Sequence, residues 1–324
     1  MMPGGRRTPL LLAFAVLLAL ALLERPLAPP VFASHPHPAA SYDEALGRLA
    51  ALAAHDGPEI SPECRTRLMS HGARTTRVFV LFHGLTNCPE QFRLLGERFY
   101  ARGANVLIPR LPRHGLADRM TTELAKLDAR ALCDATDEAI DVADGLGDTV
   151  VVLGLSAGGV MAAWAAQERA DVACAVPIAP LLATGLAHGL LTPAATRLGL
   201  VLPNAFLWWN PRVREELGGP KHVYPRFSTR ATAQSMLLGA AIEARARRSR
   251  PRARAIVMIT VGGDAGVDNR ACERLAGAWR DHGASVVAYQ FPSRLHLNHD
   301  IIDPEQIGAD PGLVYPVIEG LIAP

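Results

Sequence analysis

Short apolar runs alternate with longer amphipathic segments along most of this 324-residue chain. The apolar runs are rich in Val and Ile, and each ends at Gly, Pro or a polar residue, which is typical of buried strands of roughly 4–8 residues. They predict strands over 76–82, 104–109, 149–155, 172–180, 254–261 and 285–291.

The segments between these strands have apolar residues at helical spacing and commonly end at glycine. They predict helices over 89–103, 124–147, 157–169, 269–283 and 311–322. Strands that alternate with helices require right-handed crossover connections, which produce a mostly parallel sheet covered on both faces. The pattern therefore predicts an α/β fold.

One segment interrupts the alternation. From Leu181 to about Pro251 the pattern contains no clear strand, several helical patches and the aromatic stretch NAFLWWNPRV. It predicts a helical cap insertion over the C-terminal edge of the sheet, where such folds bind ligands. Trp208 and Trp209 fit ordinary packing between cap and body and fit the wall of a lid equally well.

The amino terminus has the pattern of an export signal. Two arginines precede an apolar stretch over 10–23, which is too short for an ordinary membrane span of about 20 residues. Small residues before Ser34 suit cleavage, so residues 1–33 are predicted to be a signal peptide; the alternative is an uncleaved anchor that associates the protein with a membrane. Export is expected in both cases. Residues 34–73 are then a linker and N-terminal extension, and residues 74–324 form the α/β domain.

Charge and cysteine content indicate which partners, metal sites and disulfides to expect. The formal net charge is +2, which gives no reason to expect a nucleic-acid partner. The five cysteines are an odd number, and no spacing among them is typical of a metal site. Cys64 and Cys88 lie just outside the ends of the first predicted strand and are a candidate disulfide of an exported protein. Cys133 and Cys174 are predicted to be small buried residues. No metal or cofactor is expected.

The candidate nucleophile lies at a tight corner. The sequence Gly154-Leu155-Ser156-Ala157-Gly158 has the form G-x-S-x-G, with a predicted strand before it and a predicted helix after it. That context is what a nucleophile elbow needs, because the strained turn lifts the serine hydroxyl clear of the sheet. The alternative is a glycine-rich turn that only packs the helix on the strand.

A serine hydroxyl needs a base, and the base needs an orienting carboxylate. Asp264 directly follows a predicted strand and is favoured over Asp268, which has the position of a helix N-cap. His299 is favoured as the base, because it lies far enough along its loop to fold back over the serine. His296 is expected to pack within that loop, and His282 lies on the preceding helix.

An oxyanion that forms at the site needs two donors. The amide of Ala157, directly after the nucleophile, is one candidate. The loop after the first predicted strand offers the amide of Leu85, with the amide of Thr86 as the alternative. His83 and His114 lie in loops at the same edge and are expected to be structural or pocket-lining.

The motifs HGLT, IPRLPRHG, GLSAGG, VGGDAGV and LNHD occur in this order. Together they resemble the α/β-hydrolase superfamily, and within it bacterial carboxylesterases and monoacylglycerol lipases, from about Arg74 to the C-terminus outside the cap. The resemblance implies a triad of Ser156, Asp264 and His299, and an oxyanion hole at Leu85 and Ala157.

The predicted function is hydrolysis of small-molecule carboxylic esters of short to medium acyl chain through an acyl-enzyme. A peptidase, thioesterase, acyltransferase or perhydrolase would use the same triad, and a non-catalytic binding protein would use the same fold.

Overall fold

The computed structural model describes residues 29–189, 191–210 and 219–322. The apolar stretch predicted to be a signal core lies outside the described residues. Among the residues that are described, no helix is both long enough and apolar enough to cross a bilayer.

The described residues contain nine strands. They are β1 (Arg67–Met69), β2 (Thr75–Phe82), β3 (Asn105–Ile108), β4 (Gly147–Leu155), β5 (Val172–Ile178), β6 (Phe206–Trp208), β7 (Arg226–Ser228), β8 (Ala255–Val261) and β9 (Val286–Phe291). Seven of them form one sheet in the order β1-β3-β2-β4-β5-β8-β9, and β6 and β7 form a separate antiparallel pair. Within the large sheet only the pairing of β1 with β3 is antiparallel.

Eight α-helices occur in the same residues. They are α1 (Tyr42–Ala53), α2 (Arg93–Ala101), α3 (Ala129–Leu146), α4 (Ala157–Glu168), α5 (Leu191–Val201), α6 (Thr229–Ala246), α7 (Asn269–Asp281) and α8 (Pro311–Leu321).

The centre of the sheet is buried on both of its faces. The last six residues of β4, from Val150 to Leu155, are all buried, and successive side chains of a strand point to opposite faces. Continuous Val- and Leu-rich runs therefore form strands that are covered on both faces, as parallel sheets require. The predicted α/β architecture with a mostly parallel sheet is confirmed, and the six predicted strands are present with bounds that differ by at most two residues.

Two local predictions were wrong in their details. The helix predicted over 124–147 is divided into a 3-10 turn at Glu123–Lys126 and the helix α3, because Asp128 acts as an N-cap and accepts a hydrogen bond from the amide of Ala131 at 2.8 Å. The segment 34–73 is not a free linker: α1 is part of it, and β1 pairs with β3 at the sheet edge. Its start is held by Asp137, which accepts hydrogen bonds from the Ser34 hydroxyl at 2.6 Å and the His35 amide at 2.8 Å.

The cap also differs from its prediction. It contains two strands, since Phe206 of β6 pairs with Ser228 of β7. The helix α6, predicted to be part of the insertion, packs against α4 and buries Leu238 and Ile242. Within the described residues the segment over the sheet edge is therefore shorter than predicted and ends where α6 begins.

Candidate active site

Ser156 lies directly between β4 and α4 in a strained backbone conformation. Its φ is 59° and its ψ is −113°, a region that non-glycine residues rarely adopt. Backbone hydrogen bonds maintain the strain, because the Ser156 amide donates to the Ile178 carbonyl at 2.9 Å and the Ser156 carbonyl accepts from the Leu181 amide at 3.0 Å. The sharp reversal from strand to helix predicted from the motif is present at this residue.

The flanking glycines allow a backbone approach that no side chain would permit. A Cβ atom added to Gly154 would lie 2.0 Å from the carbonyl oxygen of Gly158. A Cβ atom added to Gly158 would lie 2.0 Å from the carbonyl oxygen of Phe82, the last residue of β2. Because both positions lack a Cβ atom, the backbone of the elbow packs closely on its own next turn and on the end of β2.

Asp264 and His299 form a hydrogen-bonded pair at the C-terminal edge of the sheet. His299 Nδ1 lies 2.7 Å from Asp264 Oδ2, and the side chain of Asp264 is fully buried. The other carboxylate oxygen of Asp264 accepts the Gly266 amide at 2.7 Å. A carboxylate held in this way fixes both the tautomer and the orientation of the imidazole, which leaves Nε2 of the ring free to act as a base.

The surroundings of His299 change its proton affinity in two opposite directions. Burial of the ring lowers the pKa of the imidazole, whereas the hydrogen bond and the negative charge of Asp264 raise it. The net result is a pKa above the usual value of 6.5. The carboxylate therefore stabilises the imidazolium that a general base becomes when it takes a proton.

Ser156 occupies the end of β4, while Asp264 follows β8 and His299 follows β9, so all three lie at the C-terminal edge of the parallel strands. In the described part of the chain no hydrogen bond links the Ser156 hydroxyl to the His299 ring. Hydrogen bonds between catalytic groups are commonly long before substrate binds. The structure thus brings the acid and the base together, and the triad as a whole stays a prediction.

All of the backbone amides considered as oxyanion donors lack an acceptor within the described residues: those of Leu85, Thr86 and Ala157. Ala157 is the first residue of α4, where helix amides lack intrahelical partners. Leu85 and Thr86 lie in the loop after β2, and both are buried. Unpaired buried amides are what an oxyanion site requires, and both donors considered for this loop have this property.

Two buried histidines hold the loop after β2 in place. His83 Nδ1 donates to the Gly84 carbonyl at 3.0 Å and its Nε2 accepts the Leu111 amide at 3.1 Å. His114 Nε2 lies 2.7 Å from the Leu85 carbonyl. Burial lowers the pKa of His114 to about 4 and that of His83 well below its usual value, so both rings are neutral at physiological pH. Their positions are those of structural residues.

The other candidates for the acid and the base lie at the two ends of α7 and at the end of a 3-10 turn. Asp268 is the N-cap of α7 and accepts the Arg270 amide at 3.1 Å. His282 is the C-cap residue of α7. His296 was predicted to pack within its loop, but it is exposed and has a positive φ of 50°, because it closes a short 3-10 turn.

Sequence reasoning missed the side chains that connect the two halves of the site. Gln91 accepts a hydrogen bond from the Gly84 amide at 2.8 Å and donates to Asp300 Oδ2 at 2.6 Å. It therefore bridges the loop of the candidate oxyanion donors and the residue that follows His299. The only available signal was a carboxylate directly after the predicted base, and that signal does not identify its partner.

Cys64 and Cys88 form a disulfide with a Cα–Cα distance of 5.1 Å. Cys64 ends a 3-10 turn in the N-terminal extension, and Cys88 precedes the 3-10 turn that carries Gln91. The disulfide therefore attaches the loop after β2 to the extension. Cys133 is buried, and Cys174 is half-buried on β5.

The cap contacts the same loop through Thr86. The indole N–H of Trp209 donates to the Thr86 hydroxyl oxygen at 2.9 Å, and the Tyr224 amide donates to the Thr86 carbonyl at 2.8 Å. Trp209 packs on the ring of Phe227 with the two centroids 4.4 Å apart. Trp209 therefore packs on Phe227 and also contacts the loop after β2. The sequence had left open whether it packs between cap and body or forms the wall of a lid.

One carboxylate cluster lies at the opposite edge of the sheet. Oxygen atoms of Asp141, Asp144 and Asp171 all lie within 4.8 Å of one another. The buried guanidinium of Arg169 donates to Asp141 at 2.6 Å and to Asp171 at 2.5 Å. Arg169 therefore supplies the counter-charge for this cluster, as buried carboxylates require.

A known protein family matches most of the chain. The model of the Alpha/beta hydrolase family matches residues 79–301. No curated protein matches the sequence.

Several solved structures have the same fold. A structure of metagenome-derived lipolytic enzymes is similar to 81% of this chain over 98% of its own, with 19% identity and a TM-score of 0.59. Monoglyceride lipase from Saccharomyces cerevisiae matches 80% of this chain over 91% of its own, with 15% identity and a TM-score of 0.59. Monoacylglycerol lipase from Paleococcus ferrophilus matches 79% of this chain over 97% of its own, with 18% identity and a TM-score of 0.53.

Proposed function

The chain belongs to the alpha/beta hydrolase family, and from this membership and the site geometry we propose that it is a serine hydrolase of carboxylic esters. The observation that carries the proposal is the 2.7 Å hydrogen bond between His299 and the buried Asp264 at the same sheet edge as Ser156. A strained serine, an oriented imidazole and unpaired amides are the parts that acyl transfer needs.

The proposed reaction has two steps. His299 Nε2 takes the proton of Ser156, whose oxygen attacks the ester carbonyl, and the alcohol leaves with the proton held by His299. Water then repeats the sequence on the acyl-enzyme and releases the acid. The amides of Ala157 and of Leu85 or Thr86 bind the oxyanion in both steps, while Asp264 stabilises the imidazolium.

The proposed substrates are small esters of short to medium acyl chain. The cap offers Trp209 and Phe227 near the loop after β2, which are apolar surfaces suited to an acyl chain. The fold neighbours from Saccharomyces cerevisiae and Paleococcus ferrophilus are described as monoglyceride and monoacylglycerol lipases, which supports a small-molecule ester as substrate.

We also propose that the protein acts outside the cytoplasm. The amino-terminal pattern of basic residues and a short apolar core supports export. The disulfide between Cys64 and Cys88 supports it independently, because such bonds persist in oxidising compartments.

The test is hydrolysis of a nitrophenyl ester series of increasing acyl length by the wild-type protein and Ser156→Ala. We expect the substitution to lower kcat by at least about a thousand-fold, because the residual rate comes only from binding and the oxyanion donors. Ser285→Ala, at an exposed serine just before β9, is the matched control and should leave kcat unchanged.

Retained turnover in Ser156→Ala would refute the nucleophile assignment. Labelling of the wild-type protein by a fluorophosphonate, lost in Ser156→Ala, separates a hydrolase from a binding protein. Product analysis with thioester, peptide and alcohol-acceptor substrates then distinguishes thioesterase, peptidase and acyltransferase activity from simple ester hydrolysis.

A further inference from the structure

A buried polar network connects the cap to the loop that carries His299. The network consists of Asn87, Gln91, His222, Asp300 and Asp303. Asn87 and Gln91 belong to the segment after β2 and His222 to the cap, whereas Asp300 follows His299 directly and Asp303 lies further along the same loop. Three separate parts of the molecule therefore meet in one set of hydrogen bonds.

His222 and Asp303 form the cap end of this network. His222 Nε2 lies 2.8 Å from Asp303 Oδ2, and their side chains are only 4% and 1% exposed. The His222 carbonyl also contacts Cys64 Sγ of the disulfide at 3.7 Å. The imidazole of His222 thus contacts the loop after His299, while its backbone contacts the disulfide-linked extension.

Asn87 connects this ion pair to the candidate oxyanion loop. Its single amide nitrogen donates to Asp303 Oδ2 at 3.2 Å and to Asp300 Oδ2 at 3.3 Å. Asp300 Oδ2 also accepts from Gln91, whose own oxygen accepts the Gly84 amide. A continuous path therefore runs from His222 to the backbone next to Leu85.

The network contains two neighbouring carboxylates and one cation. Asp300 and Asp303 share a neutral amide donor, and His222 is the titratable cation in direct contact with Asp303. Burial raises the pKa of Asp300, and the charge of Asp303 raises it further. A protonated His222 offsets this repulsion, whereas a neutral His222 leaves both charges facing each other in a buried site.

The proton affinities follow the same pattern. Burial lowers the pKa of His222, but the hydrogen bond and charge of Asp303 outweigh it and raise the pKa above 6.5. Burial raises the pKa of Asp303, but the hydrogen bond from His222 outweighs it and lowers that pKa. Each partner thus favours the charged form of the other.

His222 also has a route for its proton. It lines a surface groove of about 580 Å³ together with Glu63, Glu90, Lys221 and Glu305. Glu305 Oε2 lies 4.0 Å from His222 Nδ1. The imidazole therefore faces Asp303 inside and Glu305 on the groove side, and the groove around it carries two further glutamates and one lysine, with an excess of negative charge.

We propose that His222 is a positioning residue for the reaction proposed above: its ion pair with Asp303 holds the loop that carries His299, and loss of the His222 proton loosens that loop. The inference rests on the proposed function. It predicts an alkaline limit of activity that is set by a cap residue, in addition to the acid limit set by His299 itself.

The test is the pH dependence of kcat and KM for a nitrophenyl ester, corrected for the enzyme-free rate, in the wild-type protein and His222→Gln. Glutamine keeps a donor for Asp303 but carries no charge at any pH. We expect wild-type kcat to fall at least about five-fold across an alkaline ionisation with KM nearly unchanged. His222→Gln should have this lower kcat already at neutral pH and no alkaline fall.

Two further variants complete the design. His282→Gln, the same change at the end of α7, should retain the wild-type profile. Asp303→Asn also removes the ion pair, so its kcat should likewise show no alkaline fall. An alkaline fall that persists unchanged in His222→Gln would contradict the proposal, and so would a wild-type profile without such a fall.

A second readout is independent of turnover. In a Ser156→Ala background, the ring ¹⁵N signals of His299 should shift at the pH where His222 titrates, and this shift should be absent in His222→Gln. A His299 signal that is insensitive to His222 would overturn the positioning role. Failure of the wild-type protein to hydrolyse any ester contradicts the proposed function instead, and the NMR titration still decides the proposal on His222.

Discussion

The helix after Ser156 and the first helix of the cap are of similar length but have opposite surroundings. Every residue of α4 is buried. In α5 the only buried residue is Thr196, and Leu191 and Val201 are 60% and 80% exposed. The first helix is held by contacts around its whole circumference, and the second by contacts along one side.

This difference teaches how the molecule divides its tasks. The proposed nucleophile, Ser156, is placed by backbone contacts between α4, β2 and β5, which leave no space for adjustment. The outer part of the cap has partly exposed polar contacts, such as that of Trp209 with Thr86, which can open at a lower free-energy cost. The proposed chemistry thus lies on the rigid element, and we expect access to it to depend on the less buried one.

The largest expected effect comes from adding one methyl group to each helix. In Gly158→Ala the new Cβ would meet the Phe82 carbonyl at 2.0 Å, so β2 or α4 must move. In Gly199→Ala the new Cβ would meet the Cβ of Ala233 on α6 at 2.6 Å, and the exposed helix α5 is able to shift. We expect the free energy of unfolding to fall by at least about 4 kcal/mol in the first case and by about 1 kcal/mol in the second.

Denaturant titration of both variants, with wild-type and Gly277→Ala as references, measures this contrast. Gly277 lies in α7 with open space around its Cβ position, so alanine should stabilise the protein by up to about 1 kcal/mol. Equal destabilisation of the Gly158 and Gly199 variants would contradict the expected difference in rigidity between α4 and α5.

The next effect concerns the acid of the site. Asp264→Asn removes the charge that orients and raises the pKa of His299, and we expect kcat to fall by roughly a thousand-fold or more. Asp268→Asn is the matched control: asparagine remains a good N-cap for α7, so kcat and stability should stay near the wild-type values. A larger loss of kcat in Asp268→Asn would exchange the roles of the two aspartates.

The same pair of variants has a pH signature. A general base must be neutral, so activity disappears as the pH falls through the pKa of His299, which lies above 6.5. Without Asp264 the main cause that raises this pKa is gone, and the remaining effect of burial lowers it. The acid limb of kcat should therefore move to lower pH in Asp264→Asn and remain in place in Asp268→Asn.

The two regions also differ in how far the sequence predicts them. The strands and α4 were predictable because local composition and burial agree: uninterrupted Val, Leu and Ala runs have no alternative to the core. The strained Ser156 was predictable because two glycines and a strand–helix context leave few other conformations.

The cap was predictable only as an interruption of the alternation of strands and helices. The strands β6 and β7 have three residues each and are separated by 17 positions between Trp208 and Arg226, so no local pattern indicates their pairing. His222 and Asp303 are 81 residues apart, and their ion pair depends on the placement of the cap on the body. Long-range polar contacts of this kind carry no periodic signal, which is why the network was missed while the serine was found.

The smallest expected effect tests the attachment of the cap. Trp209→Phe keeps an aromatic ring against Phe227 but removes the indole N–H that donates to Thr86. Trp209 is 51% exposed, so the net contribution of this hydrogen bond is about 1 kcal/mol or less. We expect KM to rise about two- to five-fold with little change in kcat, because the cap shapes access and the body performs the chemistry.

Thr86→Val removes the acceptor of the same bond, and the double variant should be no worse than either single one, since all three lack one shared contact. Leu207→Ser, at an exposed neighbour on β6, should leave both constants unchanged. A loss of kcat in Trp209→Phe comparable to that in Asp264→Asn would mean that the cap takes part in the chemical step. Catalysis would then require the cap as well as the body. The active site would have to be described as one that both parts form together, and the contrast between α4 and α5 would not separate chemistry from access.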